Sequence, residues 1–187
     1  MKHILVIPDV HVPYHDKKAF QLTLQIIKAI EPHEVVVIGD FADFYSVSQY
    51  PKTPGRKLQL KDEVADVNKE LDALANVTKA VTYLEGNHED RLRRYLQEKA
   101  PELFGITDIA SLFRLKERGW KHVEYGDFYK RARVLYVHDL GKAGVNATSQ
   151  TMAIAGGNVV FGHTHRGEVR YRGHHGSQGH FGLNVGW

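Results

Sequence analysis

Side chains able to bind metal ions recur at five places along the chain, each directly after a short apolar run. The five segments are PDVH at residues 8–11, GDFAD at 39–43, GNHED at 86–90, VHD at 137–139 and GHTH at 162–165. They supply carboxylates, imidazoles and one amide, and the absence of cysteine from the sequence excludes thiolate ligands. Such ligands suit borderline and harder divalent ions, including Mn²⁺, Fe²⁺ and Zn²⁺. The pattern therefore predicts a metal site.

The number of candidate ligands indicates more than one ion. A single histidine after a strand is more often structural than ligating, but five such segments in one chain are not independent accidents. A tetrahedral site takes only four ligands, and the candidates are more numerous than that. We therefore expect two ions, held by Asp9, His11, Asp40, Asn87, His138, His163 and His165.

The elements that position these side chains can be predicted from hydrophobic periodicity. The apolar runs before the five segments are typical of buried strands, and they span Ile4–Ile7, 35–38, Val81–Leu84, Val134–Val137 and 159–161. Helical spacing is present over 17–30 and from residue 60 to 74, and shorter helices are expected over 88–99 and 108–118. The tail, 168–185, is expected to form short strands. Alternating strands and helices predict an α/β fold whose site lies at the carboxyl ends of the strands.

Composition and length are those of one globular domain over residues 1–187. The formal net charge of +3 is compatible with an anionic substrate, but solvated surface lysines give the same balance. The chain begins MKHILVIPDV, whose four consecutive apolar residues are fewer than the roughly 7–15 of a signal peptide. No run approaches the ~20 apolar residues of a membrane span. We therefore expect a cytoplasmic protein with no membrane association.

The order of the five segments, D-x-H, G-D-x-x-D, G-N-H-E, H and G-H-x-H, resembles the calcineurin-like metallophosphoesterase superfamily over residues 4–165. The resemblance implies an α/β sandwich of two mixed β-sheets flanked by helices. It also implies metal-assisted hydrolysis of a phosphate ester, in which two ions clamp the attacking and leaving oxygens.

Individual roles follow from the resemblance, position by position. One ion would be held by Asp9, His11 and His165, and the other by Asn87, His138 and His163, with Asp40 bridging both. His88 would be the catalytic histidine, protonating the leaving oxygen, and Asp43 would orient it. Mn²⁺ is the expected ion for both sites, with Fe, Zn and Ni as alternatives.

The expected partner is a phosphate-ester substrate, and its class is less constrained than the reaction. Our first interpretation is a phosphodiesterase acting on nucleotides or nucleic acid. The basic balance favours it, as does Phe44, which stands where related protein phosphatases carry a phosphate-binding arginine. The alternatives are a phosphomonoesterase acting on a nucleotide or phosphoprotein, and a scaffold that binds partners without catalysis. Nothing in the sequence indicates an oligomeric state.

Several side chains near the segments are candidate substrate contacts. Arg91 and Arg166 could hold the phosphate, although Arg91 could equally be part of a solvated helix face. Phe44, Tyr45 and Tyr50 open the long loop 45–59 and could stack on a base or an aryl leaving group, or simply pack the loop. Asp139 could orient His138. Two basic stretches could follow a nucleic-acid backbone or be ordinary exposed residues; they contain Lys130, Arg131, Arg133, Arg170, Arg172, His174 and His175.

Overall fold

The computed structural model describes residues 3–53, 59–173 and 179–186. Within these ranges the chain forms nine strands, β1–β9, and five α-helices, α1–α5. In chain order these are β1 Ile4–Ile7, α1 Lys17–Ile30, β2 Glu34–Ile38, α2 Leu60–Val77, β3 Val81–Leu84, α3 Asp90–Lys99, α4 Ile109–Leu112, β4 Lys121–Val123, β5 Tyr129–Arg131, β6 Val134–Val137, α5 Ala147–Ala155, β7 Asn158–Phe161, β8 Glu168–Arg172 and β9 His180–Asn184. Short 3-10 helices span Tyr45–Val47 and Pro101–Leu103.

The strands form two sheets, which confirms the predicted sandwich. The first sheet has the order β1-β2-β3-β4 and is parallel throughout its described strands. The second has the order β5-β6-β7-β9-β8 and is mixed, with antiparallel strands at its two edges. Parallel strands end at the same edge of their sheet, so the segments after β1, β2 and β3 meet, as do those after β6 and β7.

The layers run helix, sheet, sheet, helix, and β2 explains why. Alternate residues of a strand point to opposite faces; Val35 and Val37 pack into the cluster formed with α1 and α2. Val36 and Ile38 instead pack between the sheets, against Tyr136 of β6. A continuous apolar run is therefore needed here, because both faces of β2 are buried.

On the outside of the second sheet, α5 covers its other face. Met152 of this helix packs with Val137, Val159 and Phe161 of β6 and β7. The core therefore fixes the position of both strands that precede the histidine segments, His138 and GHTH.

Some elements differ from the sequence-based expectation. The helix expected over 108–118 ends at Leu112, and the following turn places Arg114 in the left-handed region, with φ of 50°. Strands β4 and β5 and helix α5 were not predicted. Helix α5 buries alanine, threonine and methionine rather than a stripe of leucine and isoleucine, so its pattern is weak. None of the described helices has the length and apolar character needed to cross a membrane.

Candidate metal centre

Asp40 lies at the centre of the polar cluster where the strands end. It follows β2 and is almost fully buried. Its Oδ2 atom is 3.3 Å from Nε2 of His138, 3.8 Å from Nε2 of His88 and 3.9 Å from Nε2 of His11. Its Oδ1 atom accepts a hydrogen bond of 2.8 Å from the backbone nitrogen of His88. A carboxylate oxygen facing three imidazoles is the arrangement expected of a ligand that bridges two ions.

Three groups of potential ligand atoms gather around Asp40, each with its atoms within 4.8 Å of one another among the described residues. The groups are Asp9, His11 and His165; Asp40, His138 and His163; and His11, Asp40 and His88. The first two match the two ion sites that the resemblance implies. The third places His88 within reach of the same ligand atoms, so the geometry alone does not separate a ligand role from a catalytic one.

Asn87 completes the second group. Its Oδ1 atom lies 2.7 Å from Nδ1 of His163 and 3.0 Å from Nε2 of His138. In the first group, Nε2 of His11 is 3.2 Å from Nε2 of His165. Carboxylate, imidazole and amide donors converging in this way fit borderline and harder divalent ions.

Two histidines are oriented by groups behind them, as metal-ligating histidines usually are. Nδ1 of His138 donates a hydrogen bond of 2.9 Å to the carbonyl oxygen of Ile38, so Nε2 faces Asp40 and Asn87. Nδ1 of His11 lies 3.3 Å from Oδ2 of Asp43, so its Nε2 faces His165.

Backbone strain is concentrated in the predicted ligands. Positive φ angles are uncommon outside glycine and cost of order 1–3 kcal/mol each. Among the described non-glycine residues nine have positive φ, and five of these nine are predicted ligands. The five are Asp9 (42°), His11 (55°), Asp40 (50°), His163 (70°) and His165 (55°). Strained residues cluster at functional sites, and this cluster marks the strand ends as one.

Three glycines below the ligands have two different functions. Gly39 has a φ of 93°, so it permits a sharp turn, and a Cβ atom there would also lie 2.6 Å from Nδ1 of His138. Gly86 and Gly162 provide space: a Cβ atom at Gly162 would lie 2.8 Å from Oδ2 of Asp9, and one at Gly86 would overlap Asp40.

Glu89 is a site residue that sequence reasoning missed. It is fully buried, and its carboxylate accepts hydrogen bonds from the backbone nitrogens of Asp40, Ala42 and Gly86 at 2.8–2.9 Å. The Tyr83 hydroxyl donates a fourth bond of 2.9 Å. Burial raises the pKa of Glu89, whereas the four donors favour its charged form. Its only sequence signal was its place within GNHED.

The cluster shifts the pKa values of its members in opposite directions. Burial raises the pKa of Asp9 to about 6. Burial acts to raise the pKa of Asp40, but His138 and His88 together outweigh this effect and hold the pKa well below its usual range. In turn, burial lowers the pKa of His138, but the Asp40 carboxylate raises it to about 9. Strongly perturbed groups facing one another in a cleft are typical of functional sites.

His88 is held by Asp43 and Arg91. Its Nδ1 atom is 3.0 Å from the backbone oxygen of Asp43 and 3.5 Å from Oδ2 of the same residue. Its Nε2 atom lies 2.8 Å from Nη2 of Arg91, whose Nη1 donates to the Asp43 carbonyl at 2.8 Å. Arg91 thus reaches the centre, and Asp43 is shared between His88 and His11.

Phe44 and Tyr45, two candidate substrate contacts, are not among the residues that line the cavity beside the centre. Phe44 is fully buried and stacks on Phe113, with ring centroids 5.8 Å apart, so the expectation that it contacts substrate is wrong. The ring of Tyr45 has Lys52 Nζ 4.8 Å above its centroid, and its hydroxyl accepts a hydrogen bond from Thr53. Arg166 is exposed beside His165, and its role stays a prediction.

A cavity of about 630 Å³ opens beside the centre. Asn87 and His163 line its inner end, and Arg91 and Arg94 of α3 line one wall. The remaining lining residues are Val47, Ser48, Gln49, Tyr50, Pro51, Asp90 and Tyr125. Tyr50, which is 74% exposed, is therefore the aromatic side chain of the long loop that faces the cavity.

Among the described residues, no hydrogen bond identified for the remaining sequence candidates joins them to a predicted ligand. Asp139 accepts a hydrogen bond from the Tyr125 hydroxyl at 3.0 Å and one from the Gly141 nitrogen, and no described contact joins it to His138. The two basic stretches lie on β5 and β8, at opposite edges of the second sheet, so they do not form one track. His174 and His175 lie outside the described residues.

Comparisons with known proteins agree with this geometry. A family model described as Calcineurin-like phosphoesterase matches residues 2–180. The Gene 54 protein of Mycobacterium phage D29 is 29% identical over 190 residues, covering 92% of this chain and 74% of the phage protein. The Gene 54 protein of Mycobacterium phage L5 is 29% identical over 183 residues, covering 90% of this chain and 71% of that protein.

Proposed function

Because the chain belongs to the calcineurin-like phosphoesterase family, we propose that it is a two-metal phosphodiesterase acting on nucleotides or nucleic acid. Family membership supports metal-dependent hydrolysis of phosphate esters; the diester substrate and the residue roles are the proposed part. The observation that carries the proposal is the pair of ligand groups on either side of Asp40, with the arginine-lined cavity beside them.

The ligand set would hold two ions. Asp9, His11 and His165 would bind one, and a second set would bind the other, consisting of Asn87, His138 and His163, with Asp40 shared. When bound, the ions would generate the nucleophile from water and stabilise charge on the phosphoryl oxygens. Mn²⁺ fits the absence of thiolates and the mixture of oxygen and imidazole donors, and Fe²⁺, Zn²⁺ and Ni²⁺ are the alternatives.

His88 and Arg91 would contact the phosphate ester directly, His88 as the general acid and Arg91 as a phosphate-binding residue. The guanidinium of Arg91 lies against Nε2 of His88, and the Arg91 side chain is only 15% exposed, so it is held at the centre by the protein. A phosphate oxygen would take the Arg91 donor in exchange for this contact, since charge-assisted bonds are the stronger ones. His88, in its doubly protonated form, would then direct the N–H of Nε2 at the leaving oxygen and donate that proton to it, while its Nδ1–H donates to the Asp43 carbonyl.

The cavity favours a diester. A diester places an organic group on both sides of phosphorus, and an open space of about 630 Å³ beside the centre accommodates a nucleotide-sized group. Arg91 is also the observation that favours the second candidate, a phosphomonoesterase, because a guanidinium at the centre suits a terminal phosphate dianion.

Hydrolysis of two chromogenic esters tests the proposal. Purified protein reconstituted with Mn²⁺ should hydrolyse bis-p-nitrophenyl phosphate with a higher kcat/KM than p-nitrophenyl phosphate. Faster turnover of the monoester would favour the second candidate. Absence of turnover with Mn²⁺, Fe²⁺, Zn²⁺ and Ni²⁺ alike, despite bound metal by elemental analysis, would favour a non-catalytic scaffold.

A further inference from the structure

We infer that Arg94 forms a subsite for a second phosphate, adjacent to the phosphate that is cleaved, so that the preferred substrate is an oligonucleotide-like diester. This inference rests on the proposed phosphodiesterase function and specifies its substrate class. It is carried by the position of Arg94 in the cavity wall, by the charges around it and by its separation from the centre.

Arg94 lies in the same cavity wall as Arg91. The two residues are three positions apart on α3, which places them on the same face of the helix, roughly 4.5 Å apart along its axis. Arg91 is at the inner end, against His88, while the side chain of Arg94 is 43% exposed and lies further out. A phosphate ester bound at the centre and extending along the cavity would therefore reach Arg94 next.

The guanidinium of Arg94 is fixed in place and still has donors to offer. Its Nε atom is 2.9 Å from Oδ2 of Asp90, and Nη2 donates to the Asn87 carbonyl at 3.2 Å. The Asn87 carbonyl thus engages one of the five N–H donors that a guanidinium carries, whereas Nε is buried and close to Asp90 without forming a hydrogen bond. A pre-oriented arginine with remaining donors is suited to bidentate recognition of phosphate.

The charge around the cavity selects an anion. Among the lining residues described, Asp90 is the single carboxylate; it is buried and is also paired with Arg93, at 2.5 Å. Arg91 and Arg94 carry two positive charges, whereas Asp90 carries one negative charge, so the described lining residues have a net positive charge. One turn further along α3, Glu98 accepts hydrogen bonds from Gln49 at 3.0–3.1 Å and ends the basic part of the wall. The wall therefore suits one neighbouring phosphate rather than a long backbone track.

Arg93 provides a matched control. It also pairs with Asp90, with Nε at 2.7 Å from Oδ1, but it lines a different cavity of about 310 Å³ on the other side of α3. Substituting Arg93 or Arg94 therefore removes one ion pair to Asp90 in each case, and the Arg94 substitution additionally removes a cation from the proposed subsite.

The test uses two substrates that release p-nitrophenol from the same bond: the p-nitrophenyl ester of thymidine 5′-phosphate, with and without a 3′-phosphate. The Mn²⁺-loaded wild-type protein should prefer the 3′-phosphorylated ester by about tenfold in kcat/KM, the size expected of one charge-assisted contact. Arg94→Gln should abolish this preference, Arg94→Lys should retain part of it, and Arg93→Gln should leave it intact. Calorimetry should show the same pattern of affinity for thymidine 3′,5′-bisphosphate over thymidine 5′-phosphate.

The outcomes separate this inference from the function on which it rests. Turnover of both esters without a preference for the second phosphate would overturn the subsite and leave the phosphodiesterase proposal standing. An equal loss on both esters in Arg94→Gln would assign Arg94 to holding Asn87 and would also overturn it. Absence of turnover by the wild type would contradict the phosphodiesterase proposal, while the calorimetric preference and its loss in Arg94→Gln would still decide the subsite.

Discussion

The Oε2 atom of Glu89 lies 2.9 Å from the backbone nitrogen of Asp40, so a buried carboxylate at the start of α3 holds the loop that follows β2. The same oxygen accepts from Gly86 at 2.8 Å, and Oε1 accepts from Ala42 at 2.9 Å. One side chain thereby joins the segments that carry Asp40 and Asn87. Metal affinity should depend on this residue, although it belongs to none of the ligand groups.

Replacement of Glu89 by glutamine should weaken metal binding by about 10–100-fold, the range seen when groups supporting metal ligands are changed. In the wild type both carboxylate oxygens accept from N–H groups, whereas the glutamine NH₂ would place a donor against these donors. The free energy of unfolding should therefore also fall, by about 2–3 kcal/mol. Calorimetric titration with Mn²⁺ and chemical denaturation measure the two effects. Glu117→Gln, at an exposed position, is the control; unchanged Mn²⁺ affinity in the Glu89 variant would contradict the positioning role.

Replacement of His88 by alanine should leave two ions bound and lower the rate by about 10²–10⁴-fold, because the general acid is lost. The loss should be greater for alkyl than for aryl esters, since an alkoxide needs the proton more. Elemental analysis and kcat on both ester types measure this. Loss of an ion would instead assign His88 to the ligand set, a role that its place in the third group of ligand atoms makes a real alternative.

Replacement of Arg91 by alanine should lower kcat/KM by about 10–100-fold, the value of one or two charge-assisted bonds to phosphate. Arg91→Lys should recover only part of the activity, because an ammonium does not reproduce the two-pronged contact to His88 and Asp43. Steady-state kinetics with Mn²⁺ at fixed ionic strength provide the measurement. Full activity in the alanine variant would move the phosphate-binding role to another cation, with Arg166 the next to test.

Replacement of Gly86 by alanine should destabilise the protein by about 3 kcal/mol and impair metal binding, because the new Cβ atom would overlap the side chain and backbone of Asp40. Gly157→Ala is the matched control, since a Cβ atom there meets no described atom within 4 Å. Chemical denaturation of both variants compares them. Equal stability of the two would mean that the loop carrying Asp40 shifts freely, contrary to the packing seen here.

The ion pair between His122 and Glu85 should make stability pH-dependent away from the centre. Nε2 of His122 lies 2.8 Å from Oε1 of Glu85, and this bond raises the pKa of His122 above 6.5. When the folded state raises a histidine pKa, the ion pair makes its full contribution to stability at pH values below the unfolded-state pKa of about 6.5. This contribution is lost as the pH rises through the folded-state pKa. The free energies of unfolding of the wild type and of His122→Gln should therefore differ at about pH 5.5 and become equal at about pH 9.5. The same difference at both pH values would contradict a stabilising role of this ion pair.

The convergence of the five polar segments could be predicted from the sequence because each segment follows a short apolar run that forms a strand. The run before Asp40, for example, is apolar at every position because β2 lies between the helices and the second sheet. Parallel pairing then brings strand ends together whatever the loops between them. The same logic failed for α5, where Ala147, Thr148 and Met152 are buried without a leucine stripe.

The roles of residues that depend on contacts with distant parts of the chain could not be assigned from the sequence. Phe44 lies next to Asp43, but its ring turns into the core against Phe113, which is distant in sequence. Glu89 is adjacent to His88, yet its partners are backbone nitrogens on a different loop. Sequence neighbours of a ligand can face opposite directions, and only the packing decides which of them faces the site.

Each of the two predicted ion sites draws on both sheets, which ties the sites to the packing between the sheets. Asp9 and His11 follow β1 of the first sheet, while His165 follows β7 of the second; Asp40 likewise meets His138 and His163 across the seam. The spacing of the ligands is therefore set by how Val36 and Ile38 mesh with Tyr136 and Val160 between the sheets. The apolar side chains between the sheets therefore set the distances between the predicted ligands. Changes in side-chain volume there should alter metal binding even though no ligand is replaced.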